Sequence, residues 1–246
     1  MSTTCSWCRS PRPGKKNNQT CGGPPDPTDC GALPGAATNA SLTQYACFGD
    51  SVSKGIFGAL KQLIPSWEAF HPSGNVGGGC GNTVRGKDCT KFWLDGNATS
   101  APTRTWDVVT FNFGLHDLAN DTEHVPLDAY KENLRNISAT LQQLTAASKA
   151  RIFWLSSTPV PNSTTLAPPR AQADVPLYNG AAAEVMQQLQ IPIIDLYALV
   201  VKHCGSPHYT SCPGFQQDNN VHFEKAGYEA MAQLVHEHIS AGKSTY

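Results

Sequence analysis

Blocks of hydrophobic and polar positions alternate along most of the chain, and they predict strands and helices in turn. Four apolar segments are predicted as buried strands: Gln44–Phe48, Asp107–Phe113, Arg151–Ser156 and Ile191–Asp195. A weaker fifth strand is predicted at Trp67–Phe70. The second of the four is rich in β-branched and aromatic residues, which is typical of a strand buried in a parallel sheet.

Apolar residues that recur at three- and four-residue steps predict helices between these strands. Pro126 suits the first position of one helix. Its apolar face would be formed by Leu127, Tyr130, Leu134, Ile137, Leu141 and Leu144. Other helices are expected directly after Ser51, over 172–190 and over 224–240. The alternating order predicts an α/β fold, a three-layer αβα sandwich whose functional site lies at the carboxyl ends of parallel strands.

Residues 1–42 differ from the rest of the chain. They are rich in Pro, Gly, Thr, Asn and Cys and contain almost no aliphatic residues. Such a segment cannot form a hydrophobic core of its own. We therefore expect an extension that is pinned by disulfides and wrapped on the domain or partly mobile, followed by a single domain over residues 43–246.

The cysteines and glycosylation motifs bear on the cellular compartment. The chain has nine cysteines, and N-x-[ST] motifs occur at Asn18, Asn39, Asn97, Asn120, Asn136 and Asn162. Their density favours a secreted or lumenal protein with possible N-glycans, although Met1–Cys5 and the residues after it contain no apolar signal core.

Spacing suggests how some of the cysteines pair. Two local disulfides are expected, Cys80–Cys89 and Cys204–Cys212, and Cys47 is expected to be a free core residue. The spacing of Cys5-x-x-Cys8 with Cys21 and Cys30 also allows a zinc site, but it matches no standard finger, and disulfides are favoured.

Charge and hydropathy exclude two classes of partner. The formal net charge is −1 with no basic block, which argues against nucleic acid and anionic membrane surfaces. No apolar run approaches the roughly 20 residues that a membrane-spanning helix needs. A small-molecule or glycan substrate fits this composition better.

Candidate chemistry lies near the two ends of the domain. Gly49-Asp50-Ser51 follows the first strand, which puts a serine hydroxyl at the carboxyl edge of the sheet and beside a helix N-terminus. His222 precedes the last helix after a polar loop. A serine nucleophile with a histidine base is the core of an acyl-transfer site. Taken alone, Gly-Asp-Ser could equally be a turn with an N-cap, and His222 a surface residue.

Two middle segments strengthen the joint pattern. Asn75–Thr83 is dense in glycine, and Phe113-Gly114-Leu115-His116-Asp117 ends the strongest strand. With these blocks in this order, residues 43–241 resemble the SGNH (GDSL-type) hydrolases, and the segments around His116 and His222 are similar to a branch associated with carbohydrate esters. The resemblance implies a flavodoxin-like fold and ester hydrolysis through an acyl-enzyme, with no metal or organic cofactor.

The resemblance also implies roles for individual residues. Ser51 would be the nucleophile and His222 the general base. The oxyanion would be held by the Ser51 N–H, by the Gly81 N–H and by His116, which stands where the family has asparagine. A one-residue shift would give the glycine role to Gly79 or Gly78. A neutral imidazole at His116 can donate one N–H if its tautomer is right.

A second departure from the family pattern concerns the partner of His222. The position three residues before it holds Asn219 rather than aspartate, and the nearest carboxylate is Asp218. Three alternatives stay open: Asp218 reaches His222, a carbonyl orients His222 in a working dyad, or activity is low. Asp218 is slightly favoured.

Three further residues are assigned to the substrate side of the site. Asp117 is expected either to hold His116 or to satisfy local N–H groups. Thr158 and Pro159 follow a predicted strand and are expected to form a rigid substrate loop at the same edge of the sheet.

The sequence thus predicts a serine esterase that hydrolyses a small acyl ester, with O-acetyl groups on a glycan favoured. Alternatives are an acyltransferase, a lipid or thioester hydrolase, and a glycan-binding protein built on an inactive esterase scaffold.

Overall fold

One parallel sheet forms the centre of the molecule. The structure, a computed structural model, describes residues 30–72, 79–96 and 104–241. The strands are β1 (Thr43–Phe48), β2 (Trp67–Phe70), β3 (Val108–Phe111), β4 (Arg151–Leu155) and β5 (Ile193–Ile194). All neighbours pair in parallel in the order β2-β1-β3-β4-β5, which is the flavodoxin-like order. The predicted fold class and all five predicted strands are confirmed, with β3 and β5 shorter than expected.

Six helices connect and cover these strands within the described residues. They are α1 (Ser51–Leu63), α2 (Thr83–Asp95), α3 (Leu127–Thr145), α4 (Asp174–Gln188), α5 (Leu196–Cys204) and α6 (Lys225–Ser240). Helices α1 and α6 pack on each other, whereas α2, α3 and α4 pack in series. Gly55 permits the close approach of α1 and α6, because a Cβ there would lie 2.1 Å from the ring of Tyr228.

Helices α2 and α5 were not predicted from the sequence. Helix α2 carries Gly86 and many polar residues, so its apolar periodicity is weak. The glycine has a packing role, since a Cβ on Gly86 would lie 2.7 Å from the Phe113 ring and 2.9 Å from Ile137. Tertiary contact therefore overrides helix propensity at this position.

One predicted disulfide is wrong. Cys89 pairs with Cys30 rather than with Cys80, and Cys80 is a free, buried thiol. The first two turns of the unpredicted α2 separate Cys80 from Cys89, and Cys89 lies on the buried side of that helix. The Cys204–Cys212 disulfide and the free, buried Cys47 are confirmed.

The described part of the N-terminal extension is attached to the domain. Besides the disulfide of Cys30, the carbonyl of that residue accepts a hydrogen bond of 2.8 Å from Trp93 Nε1. The backbone N–H groups of Thr38 and Asn39 donate to the carboxylate of Glu68. Cys5, Cys8 and Cys21 lie outside the described residues.

The sheet topology brings the candidate segments together. Phe48 is in register with Phe111, so β1 and β3 end side by side. In an open α/β sheet, ligands bind where the strand order reverses, which here is the gap between β1 and β3. The residues after each strand, Gly49–Ser51 and Asn112–Asp117, therefore lie at the same edge.

Candidate active site

Ser51 is the first residue of α1, and its position is fixed by the residue before it. Asp50 is the N-cap, and its Oδ1 accepts from the N–H of Val52 at 2.9 Å and of Ser53 at 3.2 Å. The Asp50 side chain is buried, and burial raises the pKa of its carboxyl group, while interactions with His116 and Arg170 lower that pKa. Asp50 thus fixes the backbone of the loop through its hydrogen bonds to the start of α1. The Ser51 side chain is half-buried.

The glycine-rich segment packs directly on this turn. A Cβ on Gly79 would lie 2.3 Å from the Asp50 carbonyl carbon and 2.6 Å from the Ser51 nitrogen. The next residue, Cys80, forms two hydrogen bonds with Gly49. The Cys80 N–H donates to Gly49 O at 2.5 Å, and the Gly49 N–H donates to Cys80 Sγ at 3.2 Å. Only glycine fits at position 79, so the two loops form one packed unit. Gly78 lies outside the described residues.

His222 meets Ser51 across the fold. Its Nε2 lies 2.7 Å from Ser51 Oγ, although 171 positions separate the two residues. Burial lowers the pKa of His222 from its ordinary 6.5; Asp50 raises it, and Arg170 and His116 lower it further. The imidazole is therefore neutral, as a base must be, to lower pH than a free histidine.

The partner of the other ring nitrogen is Asn220. Its Oδ1 lies 2.7 Å from His222 Nδ1 and also accepts from the His222 backbone N–H at 3.1 Å. Neither of the two residues assigned from the sequence occupies this place. Asp218 is exposed, and Asn219 instead accepts from Ser163 Oγ at 2.7 Å.

Backbone conformation explains this correction. Asn219 has a φ of 51°, in the left-handed region that asparagine tolerates better than most residues. This turn carries Asp218 and Asn219 outward and directs Asn220 toward the imidazole. Of the three alternatives, the geometry matches the one in which a carbonyl oxygen orients His222. That oxygen belongs to the side-chain amide of Asn220.

The hydrogen-bond network defines the tautomer of His222. Asn220 Nδ2 donates to Gln217 Oε1 at 3.2 Å, which leaves Oδ1 to face the imidazole. Because Oδ1 only accepts, the proton belongs on Nδ1, and Nε2 is free to accept the proton of Ser51. This arrangement can activate a serine hydroxyl for attack on a carbonyl carbon.

Three groups are predicted from the sequence to hold an oxyanion, and the structure gives the surroundings of each. Among the described residues, the N–H groups of Ser51 and Gly81 have no hydrogen-bond partner. Gly81 has a φ of 73°, a conformation that glycine adopts without strain. His116 is partly exposed, and its Nδ1 lies 3.8 Å from Glu123 Oε2. A Cβ on Gly81 would also lie 3.8 Å from this oxygen, so Glu123 adjoins both groups.

The three residues assigned to the substrate loop are all buried. Asp117 accepts from the N–H of Thr83 at 2.9 Å and from its hydroxyl, so it anchors the start of α2 rather than His116. Burial raises the pKa of Asp117 to about 7. Thr158 and Pro159 are also enclosed, and Pro159 O accepts from Tyr209 at 3.1 Å. Their burial does not match an exposed substrate loop.

Sequence reasoning missed Asn220 and Arg170 as site residues. Arg170 Nε donates to Leu115 O at 2.6 Å, next to His116, and its charge reaches both Asp50 and His222. It lies in a proline-rich segment far from the recognisable blocks, so no local pattern indicates it.

The described residues contain neither a candidate metal site nor a candidate membrane-spanning helix. In that part of the chain, no three His, Cys, Asp or Glu side chains are grouped to hold a metal ion. None of the helices there has the length and apolar character needed to cross a bilayer.

Comparisons with solved structures place the fold among acylhydrolases. The lipase/acylhydrolase from Enterococcus faecalis superposes with a TM-score of 0.60 at 21% identity, covering 80% of this chain and 95% of that chain. The carbohydrate acetylesterase Est24 from Sinorhizobium meliloti gives 0.61 at 10% identity, with coverages of 81% and 99%. The acetyl xylan esterase AlAXEase gives 0.59 at 13% identity, with coverages of 80% and 99%.

The family comparison covers most of the domain. A search of curated proteins gave no match. The model of the GDSL-like lipase/acylhydrolase family matches residues 47–230, a span that contains Ser51, the glycine-rich segment, His116 and His222. The chain therefore belongs to the GDSL-like lipase/acylhydrolase family of SGNH-type hydrolases.

Proposed function

We propose that this protein is a serine esterase that removes a small acyl group, with O-acetyl groups on a glycan as its substrates. The observation that carries the proposal is the 2.7 Å contact between Ser51 Oγ and His222 Nε2, at the switch point of the sheet. Family membership sets the reaction class. The choice of acetyl as the acyl group and of a glycan as the alcohol is supported by the acetylesterases among proteins of similar fold.

The first half of the reaction makes an acyl-enzyme. His222 Nε2 takes the proton of Ser51 as Oγ attacks the ester carbonyl carbon. The carbon–oxygen bond to the alcohol then breaks, and the alcohol leaves with the proton from Nε2. In the second half, water attacks the acyl group, and the same nitrogen takes its proton and returns one to Ser51.

Asn220 is the positioning residue of this mechanism. Its Oδ1 holds the proton of His222 on Nδ1, so a Ser-His-Asn arrangement replaces Ser-His-Asp; cysteine enzymes use asparagine in the same role. A neutral amide fixes the tautomer but stabilises the imidazolium less than a carboxylate would. Asp218 and Asn219 take no part.

The negative charge on the carbonyl oxygen is held by hydrogen-bond donors. We assign this role to the N–H groups of Ser51 and Gly81 and to His116. The Ser51 N–H also lies at the N-terminus of α1, where the helix dipole favours negative charge. Removing one such donor from a serine hydrolase typically slows turnover by about 10²–10³-fold.

The test is hydrolysis of p-nitrophenyl esters of increasing acyl length by the wild type and Ser51→Ala. The proposal expects turnover that depends on Ser51 and falls as the acyl chain lengthens. Ser53→Ala is a matched control, because Ser53 lies in the same helix but its hydroxyl bonds to Asn112 in the interior. Turnover that survives in Ser51→Ala would refute the mechanism, and a preference for long chains would refute the acetyl assignment.

We also propose that the protein is a secreted or lumenal glycoprotein. The support is the presence of two disulfides and of four exposed sequon asparagines among the described residues, Asn39, Asn120, Asn136 and Asn162. Protein expressed in a eukaryotic secretory pathway should lose mass on endoglycosidase treatment. An unchanged mass together with free thiols at Cys204 and Cys212 would contradict this.

A further inference from the structure

Arg170 is a cation held in a fixed orientation beside the active site. Its Nε donates to Leu115 O at 2.6 Å, and Nη1 donates to Pro168 O at 3.0 Å. The adjoining backbone is tied to the same loop, since the Asn120 N–H donates to Pro169 O at 2.9 Å. The guanidinium is thus fixed at the residue that precedes His116.

Arg170 has no ion-pair partner within the part of the chain that the structure describes. Among the described residues, no carboxylate oxygen lies within 4.0 Å of it. Two carboxyl groups interact with its charge from further away. They are Asp50, whose Oδ1 accepts from the N-terminus of α1 and whose buried Oδ2 has no hydrogen bond among the described residues, and Asp121, whose Oδ1 accepts from the Glu123 N–H at 2.8 Å. Glu123 itself lies toward His116.

One edge of the guanidinium remains available. Two of its nitrogens donate to backbone carbonyls, Nη2 has no hydrogen bond among the described residues, and Arg170 is partly exposed. A guanidinium binds a carboxylate through charge and directed N–H donors, and it does so best when its orientation is already fixed. A partly exposed cation beside the loop of His116, with no ion pair among the described residues, fits an anion on the substrate.

We propose that Arg170 forms a subsite for a carboxylate carried by the ester substrate, so that acidic esters are preferred over neutral ones. The inference rests on the proposed esterase function and narrows its substrate class. The carboxylate has two possible sources. It belongs either to the alcohol, as in an acetylated uronic acid, which keeps acetate as the acyl group, or to the acyl group, as in a half-ester of a dicarboxylic acid, which would replace acetate.

The experiment compares matched pairs of substrates that differ in one negative charge. On the acyl side the pair is p-nitrophenyl hydrogen succinate and p-nitrophenyl butyrate. On the alcohol side it is O-acetylated galacturonic acid and its methyl ester. In one of the two pairs, kcat/KM should be about 10- to 100-fold higher for the acid, which is the value of a charged hydrogen bond. The preference should shrink at high salt, because a partly exposed charge pair is screened.

Variants separate recognition from positioning. Arg170→Gln should abolish the preference, mainly by raising KM for the acid, whereas Arg170→Lys keeps the charge and should retain part of it. Both variants also lose part of the contact between residue 170 and Leu115. An equal fall in kcat for the acidic and the neutral substrate of a pair would therefore report the loss of this structural contact. Arg135→Gln is the control, because Arg135 lies on α3 and pairs with Glu132. It should leave the preference unchanged.

Binding tests the subsite without turnover. The Ser51→Ala protein should bind p-nitrophenyl hydrogen succinate or acetylated galacturonic acid more tightly than the neutral counterpart, and adding Arg170→Gln should remove the difference. Equal affinities for both pairs, or a preference that persists in Arg170→Gln, would overturn the proposal. Turnover that depends on Ser51 without acid preference would leave the esterase proposal standing and refute only the subsite.

Discussion

The loop of the nucleophile and the loop of the histidine are built by different means. Ser51 lies on a turn that packs against the backbone of the glycine-rich segment. Gly79 packs against Asp50, and Cys80 forms two hydrogen bonds with Gly49. His222 follows an exposed segment in which asparagine and glutamine side chains bond to one another. The first loop is fixed by packing and the second by polar side chains.

This difference separates stability from activity. A change that disturbs packed backbone should lower both, because the same contacts hold the fold and the nucleophile. A change in an exposed polar network should lower activity while the fold persists. Three predictions test the distinction, and a fourth concerns the buried Asp117.

The largest effect is expected at Gly79. In Gly79→Ala the new Cβ meets the Asp50 and Ser51 backbone, which must move. We expect unfolding to become easier by about 1–3 kcal/mol, and esterase activity to fall by roughly 10²-fold or more because the nucleophile is displaced. Chemical denaturation and ester hydrolysis measure the two quantities.

Gly58→Ala provides the control for that substitution. Gly58 lies in α1, and a Cβ there meets nothing within 4 Å. It should leave activity intact and stabilise the helix by up to about 1 kcal/mol. Full activity in Gly79→Ala would mean that the two loops are not one packed unit.

The next largest effect is expected at Asn220. Asn220→Ala removes the acceptor that holds the His222 proton on Nδ1, and we expect kcat/KM to fall by about 10–10²-fold. The free energy of unfolding should change by less than about 1 kcal/mol, since the site is partly exposed. Asp218→Ala is the paired control and should match the wild type in both. The opposite result, a large loss in Asp218→Ala alone, would restore the carboxylate to the mechanism.

A smaller effect is expected on the pH profile. Because the pKa of His222 is lowered from 6.5, the acid limb of kcat/KM should have its midpoint below that value. Asn220→Asp places a carboxylate beside Nδ1, which favours the imidazolium and should move the midpoint upward by about one unit. If the midpoint of the acid limb is the same in Asn220→Asp as in the wild type, residue 220 does not face the imidazole.

The last prediction concerns stability behind the site. Asp117 has a pKa of about 7 against an ordinary 3.8, so the folded state binds its proton more tightly than the unfolded state does. Its stabilising contribution is full below about pH 4 and is lost as the pH rises through 7. Asp117→Asn keeps an acceptor for Thr83 and should remove this loss, worth about 1–4 kcal/mol at neutral pH. Denaturation curves that change equally with pH in both proteins would contradict it.

Sequence reasoning succeeded where local pattern and topology decide. The strands at Thr43–Phe48 and Trp67–Phe70 and the helix at Leu127–Thr145 follow from apolar periodicity. The sheet order then brings Ser51 to the switch point. Family resemblance pointed to His222, which the fold carries to within 2.7 Å of Ser51 Oγ.

Sequence reasoning failed where long-range contacts or single dihedral angles determine which residues meet. Helix α2 forms because Gly86 fits against Phe113, and its absence from the prediction led to the wrong partner for Cys89. Asp218 was favoured and Asn220 was missed, because counting positions cannot show that Asn219 adopts a positive φ. Arg170 reaches the site through a loop contact that no local motif records.

The most direct test of the account is the labelling of Ser51 by a fluorophosphonate, followed over time by intact mass and located by peptide mapping. We expect one adduct, on Ser51, that forms at the same rate in wild type and Asp218→Ala, more slowly in Asn220→Ala, and not at all in Ser51→Ala. An adduct on another residue, or a wild type that is not labelled while an active serine hydrolase in the same tube is, would contradict it.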